Sequence, residues 1–336
     1  DRWMYETQHT DGKTKGHIEY TVWSQLYTCP ECAGEINFTA EALDPQTKRV
    51  KEQFPCPHCG AEMTKQRMDR AYVTKLDSAT GETIQTPKRA PALIVYKVGK
   101  NRYEKLPDAH DLALIEKIEA MPLPSEVPSI AIPPMHMTHE RARMDHAGVT
   151  HIHHFFLPRA AQAMALLWKK ALAWPDARIR EMLLFMVEQA IWGISILNRY
   201  GPTHFSQVNR ALNGVYYIAS QHSECTPWYI LEGKLNRLVK AFAGRRSPLA
   251  GDRGAGSAEV ARKRAPTGPQ PDSMITNGTT ARLALPDASI DYIFTDPPFG
   301  ENIYYADLNF LVESWHGVTT DAKPEAIIDR FKKKAL

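Results

Sequence analysis

The segment Tyr292-Ile293-Phe294-Thr295-Asp296-Pro297-Pro298-Phe299-Gly300 is the most informative part of this sequence. Its apolar start predicts a buried strand. Its two prolines predict a stiff loop directly afterwards, because each proline fixes its own φ and lacks a backbone N–H. Such a loop leaves the Asp296 carboxylate and the Pro297 carbonyl as hydrogen-bond acceptors and presents the flat ring of Phe299. These groups suit a planar ring with an exocyclic amine, which donates hydrogen bonds and stacks on an aromatic side chain.

Methyl transfer to an exocyclic amine is difficult because the nitrogen lone pair is delocalised into the ring. Acceptors at Asp296 and at the Pro297 carbonyl would bind the amino hydrogens and disperse the positive charge that forms on nitrogen. The residues Asp296, Pro297, Pro298 and Phe299 resemble the catalytic motif of amino-group methyltransferases, and the resemblance implies a catalytic loop that takes a flipped base. An ordinary tight turn after an α/β strand is the alternative interpretation of the same residues.

Four cysteines form two Cys-x-x-Cys pairs, Cys29 with Cys32 and Cys56 with Cys59. Thiolates at this spacing converge on a tetrahedral site of the kind that binds zinc, and four of them complete its coordination, so the metal would be structural. Two disulfides or a redox pair are the alternatives. Disulfides are disfavoured because the sequence shows no secretion signal, and a redox motif would be a single pair at the start of a helix.

Composition is that of an ordinary globular protein. The 336 residues are enough for two or three domains, with 43% hydrophobic and 24% charged residues. No apolar run approaches the ~20 residues that span a membrane, and no secretory signal is visible, so we expect a cytoplasmic protein without membrane contact. The formal net charge is only +3, so contact with nucleic acid would depend on local patches such as Lys65, Arg67 and Arg70.

Changes in residue pattern divide the sequence into five segments. Residues 1–105 are rich in β-branched and aromatic residues and predict a β-rich zinc-ribbon module, with a strand over residues 17–28. The remaining segments are a connector with a short helix and a Pro-rich stretch (106–157), a helical subdomain (158–243), a flexible basic linker (244–272) and the methyltransferase catalytic segment (273–336).

Apolar residues recur at helical spacing over residues 158–174, 176–199 and 228–243, which predicts three helices. The strand over residues 290–294 is predicted to lie in a parallel α/β sheet, with the catalytic loop at its carboxyl end, where such sheets bind ligands. A histidine-dense stretch lacks the spacing of metal ligands and predicts packing or surface roles for His136, His139, His146, His151, His153 and His154.

Four stretches resemble one known family, and one of them, residues 148–160, GVTHIHHFFLPRA, is similar to a segment between the other matching regions. Residues 285–315, LPDASIDYIFTDPPFGENIYYADLNFLVESW, are similar to the catalytic stretch of a group of prokaryotic DNA methyltransferases with an internal zinc-binding insertion. Residues 20–38, YTVWSQLYTCPECAGEINF, and 54–68, FPCPHCGAEMTKQRM, resemble that insertion. The resemblance implies an α/β fold: a partial Rossmann-like methyltransferase sheet with a β-rich zinc-ribbon insertion and a helical subdomain. It also implies S-adenosylmethionine as methyl donor and DNA as partner, in restriction-modification or a related role.

Within that family, Asp at the first motif position favours adenine N6, whereas cytosine N4 enzymes more often carry Ser there. The Phe-x-Gly-x-Gly strand-loop that holds the methyl donor in such enzymes is absent from this sequence, so no cofactor-binding residue is assigned. We therefore expect an interior fragment, with a companion chain or flanking segment supplying the S-adenosylmethionine-binding strands. An RNA base methyltransferase and a non-catalytic zinc-ribbon DNA-binding scaffold are the alternative functions.

Overall fold

A computed structural model of the protein describes most of the chain. The described residues are 2–44, 46–47, 49–134, 144, 147–201, 216–245, 282–283, 285–296, 305–321, 328–329 and 334–335. The chain forms two compact units, of which the larger comprises residues 1–235 and 300–336 and the smaller residues 236–299.

The strands within the described residues are β1 (Glu6–Gln8), β2 (Lys15–Thr28), β3 (Glu35–Asn37), β4 (Phe54–Pro55), β5 (Glu62–Met63), β6 (Asp69–Arg70), β7 (Tyr72–Leu76), β8 (Thr83–Pro87), β9 (Arg89–Val98), β10 (Asn101–Lys105), β11 (Gln221–Cys225), β12 (Ile328–Asp329) and β13 (Lys334–Ala335). The helices are α1 (Phe38–Ala42), α2 (Ala109–Glu119), α3 (Pro158–Leu172), α4 (Ala177–Glu188), α5 (Ile191–Ile194), α6 (Pro227–Arg245) and α7 (Tyr305–Trp315), with 3-10 helices at Arg2–Tyr5, Lys65–Arg67 and Ile152–Phe155. In this part of the chain no helix is both long enough and apolar enough to cross a membrane.

Strand β2 is the centre of the main sheet. It pairs along most of its length with β9 and β11, and its last residues, Leu26 to Thr28, pair with β3 and β6. Every residue from Ile18 to Tyr27 is buried, because β2 is covered on both faces. A strand buried on both faces loses the alternation of apolar and polar residues, which explains its irregular sequence pattern. The predicted strand over residues 17–28 is confirmed.

The sheet is antiparallel. Every strand pairing among the described residues is antiparallel, including the β9–β10 hairpin, whose two-residue turn places Gly99 at a positive φ of 58°. Parallel neighbours would need helical crossovers, which hairpin-linked strands do not provide. The fold is therefore mixed α/β with a curled antiparallel sheet, and the expected parallel, Rossmann-like sheet is not confirmed.

One hydrophobic core joins the sheet to the helices of the larger unit. It contains Val22 and Tyr96 from the sheet, Phe155 from a 3-10 helix, Met164 from α3 and Trp315 from α7. The core continues across the sequence boundaries near residues 105 and 157, because sheet residues and helix residues fill the same interior. Helix α3 begins with Pro158 at its first turn, as the sequence predicts.

The helix predicted over residues 176–199 is wrong in its second half. Helix α4 ends at Glu188, and the short helix α5 follows over Ile191–Ile194. Gly193 lies so close to Ile230 of α6 that an added Cβ would be 2.6 Å from Ile230 Cδ1. Tertiary packing against α6 therefore overrides the helical periodicity that continues through this segment.

A buried ion pair ties α3 to the sheet. Arg159 Nε and Nη2 donate to the two carboxylate oxygens of Glu224 in β11 at 2.9 and 2.8 Å. Tyr5 Oη and Trp23 Nε1 also donate to this carboxylate, at 3.1 and 2.8 Å. Arg159 is 4% and Glu224 0% exposed. The carboxylate is thus fully satisfied without water, as a buried charge requires.

In the described part of the smaller unit, the strand predicted over residues 290–294 is not formed. Residues 291–296 form no strand, and Tyr292, Ile293 and Phe294 are 80%, 72% and 84% exposed. A strand satisfies its backbone groups by pairing, and none of the described strands pairs with this segment. A turn precedes this segment, in which Ser289 Oγ donates to the Pro286 carbonyl at 2.7 Å.

Candidate metal centre and catalytic segment

Two loops of nearly identical backbone geometry hold the four cysteines. They span residues 29–34 and 56–61. In each loop the first cysteine donates its N–H to the carbonyl five residues later, at 2.9 and 2.8 Å, and its carbonyl accepts the N–H four residues later, at 2.9 Å. The residue after the second cysteine takes a positive φ, 58° at Ala33 and 75° at Gly60. Such knuckles turn the backbone sharply and aim both thiols inward.

The four sulfur atoms lie at the spacing of a tetrahedral metal site. Cys29 Sγ is 3.8 Å from Cys59 Sγ, and Cys32 Sγ is 3.9 Å from Cys56 Sγ. A zinc ion with Zn–S bonds of about 2.3 Å would separate its sulfurs by about 3.8 Å, so the spacing fits the metal. A disulfide would bring two sulfurs to about 2.05 Å, and all four cysteines are free. The predicted cluster of Cys29, Cys32, Cys56 and Cys59 is confirmed.

Proton affinities differ strongly within the cluster. Although desolvation opposes it, the Cys59 and His58 amides lower the pKa of Cys56 to about 6. The Gly34 amide opposes the shift of Cys32, but desolvation and contacts with the other thiols raise its pKa to about 12. Zinc is bound by thiolates, so binding of the ion would release the thiol protons of the cluster.

A small hydrophobic core of its own supports the metal centre. Its buried residues are Tyr27, Cys29, Ile36, Phe38, Ala42, Phe54, Cys56, Met63 and Met68. Beside it, His58 packs against Gly34, where an added Cβ would be 2.5 Å from His58 Cδ2. His58 Nε2 lies 2.9 Å from the Glu35 carbonyl, so this ring contacts backbone. Four sulfurs would close the coordination shell, and the cluster could hold a structural metal such as zinc.

The predicted basic residues Lys65, Arg67 and Arg70 lie close to the metal centre in sequence, and the fold adds Arg199 to their surroundings. Arg67 is held by Glu31 at 2.6 Å. Partial desolvation, followed by the charges of Arg70 and Arg199, lowers the pKa of Lys65. Arg70 and Arg199 are both exposed. Arg199 is therefore close enough to Lys65 for its charge to act on it, although the two residues are far apart in sequence.

The predicted catalytic loop lies mostly beyond the described part of the chain. Asp296 is described and is exposed. Pro297, Pro298 and Phe299 lie outside the described residues, so the arrangement of the four residues stays a prediction.

A second polar cluster was missed by sequence reasoning. Asp77, in the turn after β7, receives His153 Nε2 and His154 Nε2 at 3.0 Å on the same carboxylate. Asp77, His151 and His154 carry ligand atoms close enough together to share one ion. No local pattern could have found this, since Asp77 is 76 residues from His153. The earlier histidines, His136, His139 and His146, lie outside the described residues.

The tautomer of His154 argues against a metal at this second cluster. The backbone N–H groups of Thr150 and His151 both donate to His154 Nδ1, at 3.2 and 3.3 Å. His154 therefore carries its proton on Nε2 and donates it to Asp77. A neutral histidine that binds a metal through Nε2 would place N–H at Nδ1, facing two other N–H donors. The cluster is a hydrogen-bonded clamp between the β7–β8 hairpin and the 3-10 helix.

Comparison of the chain with protein-family models, with curated protein sequences and with solved structures gives no match.

Proposed function

We propose that this chain is the base-recognition and catalytic part of an S-adenosylmethionine-dependent methyltransferase that modifies the exocyclic amine of a flipped DNA base, with adenine N6 as the preferred target. The single observation that carries the proposal is the sequence Asp296-Pro297-Pro298-Phe299. Its acceptors match an amino group, and its aromatic ring matches a stacked base. The exposure of Asp296 supports this role, since a base must reach the carboxylate from solvent.

S-adenosylmethionine would supply an electrophilic methyl group to the amine. The sequence holds no Phe-x-Gly-x-Gly loop for it, so a companion chain or flanking segment is proposed to bind the donor. In this chain, Asp296 would accept a hydrogen bond from the amine. Phe299 would stack on the base, and the two prolines would keep the acceptors rigid.

The cysteine cluster would bind zinc and serve as a structural element. Lys65, Arg70 and Arg199 beside it would contact backbone phosphates, since exposed cations supply the sequence-independent part of DNA binding. The same residues support the second candidate, a non-catalytic zinc-ribbon scaffold that holds a partner on DNA. An RNA base methyltransferase would use the same residues, because the bases of RNA also carry exocyclic amines.

The test incubates the gene product that contains this chain, zinc-loaded and with its native flanking sequence or companion, with deuterated-methyl S-adenosylmethionine and unmethylated DNA. The DNA is digested to nucleosides, which are analysed by mass spectrometry. Asp296→Ala is compared with Asp287→Ala, a matched control that removes an exposed carboxylate outside the motif.

We expect N6-methyladenine from the wild type and from Asp287→Ala, and none from Asp296→Ala. N4-methylcytosine would keep the class and change the target. Product only on structured RNA would move the proposal to RNA. No methylated base on either nucleic acid, together with DNA binding that Lys65→Met and Arg70→Met weaken, would favour the scaffold.

A further inference from the structure

The extended chain that leads from β6 into β7 presents an arginine and a tyrosine on one side. Arg70 and Tyr72 are exposed and flank the buried Ala71, and alternate residues of an extended chain point to the same side. The Ala71 N–H donates to the Leu26 carbonyl at 3.0 Å, and the Ala71 carbonyl accepts the Lys88 N–H at 2.8 Å. The two exposed residues are therefore fixed about 6.6 Å apart along the chain.

The hairpin of β7 and β8 is attached to the larger unit through its other side. Lys75, Ile84 and Thr86 line a cavity of about 240 Å³ in that unit. Between them in sequence, Thr74 and Gln85 are paired in the register and exposed, so their side of the hairpin points to solvent. Neither strand contains an acidic residue. The outer face of this region consists of Arg70, Tyr72, Thr74 and Gln85.

Three cations in and beside the outer face lack an acidic partner. Lys65, Arg70 and Arg199 make no ion pair in the part of the chain that the structure describes, whereas the neighbouring Arg67 is bound by Glu31 at 2.6 Å. Burial, followed by the charges of Arg70 and Arg199, lowers the pKa of Lys65. The three positive charges are therefore close enough to repel one another, and a polyanion would relieve that repulsion.

A fourth cation adds to this positive potential from below the surface. The Nε and Nη2 atoms of Arg89 are inaccessible to solvent. Burial, followed by the charge of Arg70, lowers the pKa of Arg89 to about 10, so the guanidinium is still charged at neutral pH. Because salt screens a buried charge less than an exposed one, Arg89 strengthens the attraction for an anion at Arg70 without contacting it.

Tyr72 places an aromatic ring beside these cations. It is 43% exposed, and within the described residues its ring makes no aromatic contact and its hydroxyl no hydrogen bond. Proteins that bind single-stranded nucleic acid combine such a ring, on which a base stacks, with cations that hold the phosphates. Bases in a duplex stack on one another, so a ring on a flat protein face stacks on an unpaired base.

We propose that the outer face binds a single-stranded segment of DNA, with one base stacked on Tyr72 and the adjoining phosphates on Arg70, Lys65 and Arg199. The choice of DNA rests on the proposed function, in which flipping of the target base disrupts its pair and leaves unpaired nucleotides. Stacking tolerates every base. The outer face therefore holds and orients the strand, and it does not read the sequence.

Fluorescence anisotropy of the zinc-loaded protein, without a methyl donor, tests the proposal. The labelled probes are an oligodeoxythymidine, an abasic oligomer of the same length and a duplex of the same length. Tyr72→Ala removes the ring, and Tyr72→Phe keeps it. Val73→Ala is the matched control, because Val73 is exposed on the opposite side of the same strand. Arg70→Met is compared with Lys15→Met, which removes an exposed cation at the other end of β2.

We expect saturable binding of the oligodeoxythymidine, about tenfold weaker in Tyr72→Ala and unchanged in Tyr72→Phe and Val73→Ala. The abasic oligomer should bind the wild type about tenfold more weakly, and Tyr72→Ala should not weaken it further. Arg70→Met should weaken both oligomers and reduce the slope of log affinity against log salt by about 0.7, whereas Lys15→Met should not.

Equal affinity of the wild type for the abasic oligomer, or wild-type affinity in Tyr72→Ala, would overturn the stacking role. Duplex DNA that binds as tightly as the single strand would contradict the choice of an unpaired strand. An unchanged salt slope in Arg70→Met, or no saturable binding at all, would remove the phosphate contacts. Binding that depends on Tyr72, with no methylated base in the nucleoside assay, would instead refute methyl transfer and leave the outer face in place.

Discussion

Removal of one partner from the buried Arg159–Glu224 pair should destabilise the protein severely. Glu224→Gln keeps the shape of the side chain but deletes the charge that Arg159 requires. It also turns one acceptor oxygen into a donor, while four donor groups still point at this position: Arg159 Nε and Nη2, Tyr5 Oη and Trp23 Nε1. Because both charges are nearly inaccessible to water, we expect the free energy of unfolding to fall by about 3–5 kcal/mol. That is a large share of the stability of an ordinary domain.

Urea denaturation of the zinc-loaded protein, followed by far-UV circular dichroism and tryptophan fluorescence, measures this loss. Lys169→Met is the control, because it breaks the exposed Lys169–Glu126 pair and should change stability by less than about 1 kcal/mol. The double variant Arg159→Met with Glu224→Leu should lose less than the sum of the single variants, since neither charge is then left alone. A loss below about 1 kcal/mol in Glu224→Gln would refute the reasoning, because an uncompensated buried cation cannot be that harmless.

Cys56→Ser should reduce bound zinc from one ion per chain to a small fraction, as measured by plasma mass spectrometry after dialysis; full occupancy would disprove the four-sulfur site. Gly60→Ala should destabilise the zinc-loaded protein by about 1 kcal/mol, and Ala33→Gly should not, because only the first places a Cβ at a positive φ where none exists; thermal melts that show the opposite order would contradict this. Burial, followed by the charge of His153, lowers the pKa of His154 to about 4. Between pH 6.5 and 4 the unfolded state therefore binds more protons than the folded state, and the free energy of unfolding should decrease as the pH is lowered through that window. His154→Gln should flatten this dependence in urea titrations, and an unchanged slope would count against the neutral His154 on Asp77.

Short-range signals in the sequence were enough for part of this structure. The cysteine spacing identifies the metal centre, because both loops are local. Pro158 and the periodicity after it identify α3. The parallel sheet was expected around residues 290–294, which form no strand, whereas most strands of the antiparallel sheet come from the segment predicted as a zinc-ribbon module.

Features that depend on contacts distant in sequence were missed. The run from Tyr292 to Phe294 is apolar enough for a strand, but a strand also needs a neighbour, and apolarity does not reveal one. Likewise, His153 meets Asp77 only because the fold brings the 3-10 helix to the β7–β8 turn. Arg199 lies near Lys65 for the same reason.

Strand β2 runs from the metal centre into the main sheet, so loss of the metal should affect only one end of this strand. Leu26 to Thr28 pair with β3 and β6 beside the cysteines, whereas the residues before them pair with β9 and β11 in the main sheet. Chelation of the ion should therefore open the strand pairing at the carboxyl end of β2. The residues of β2 that pair with β9 and β11 should stay paired. Amide hydrogen exchange would then be fast at Tyr27 and slow at Val22, so a single strand would report the loading state of the metal along its own length.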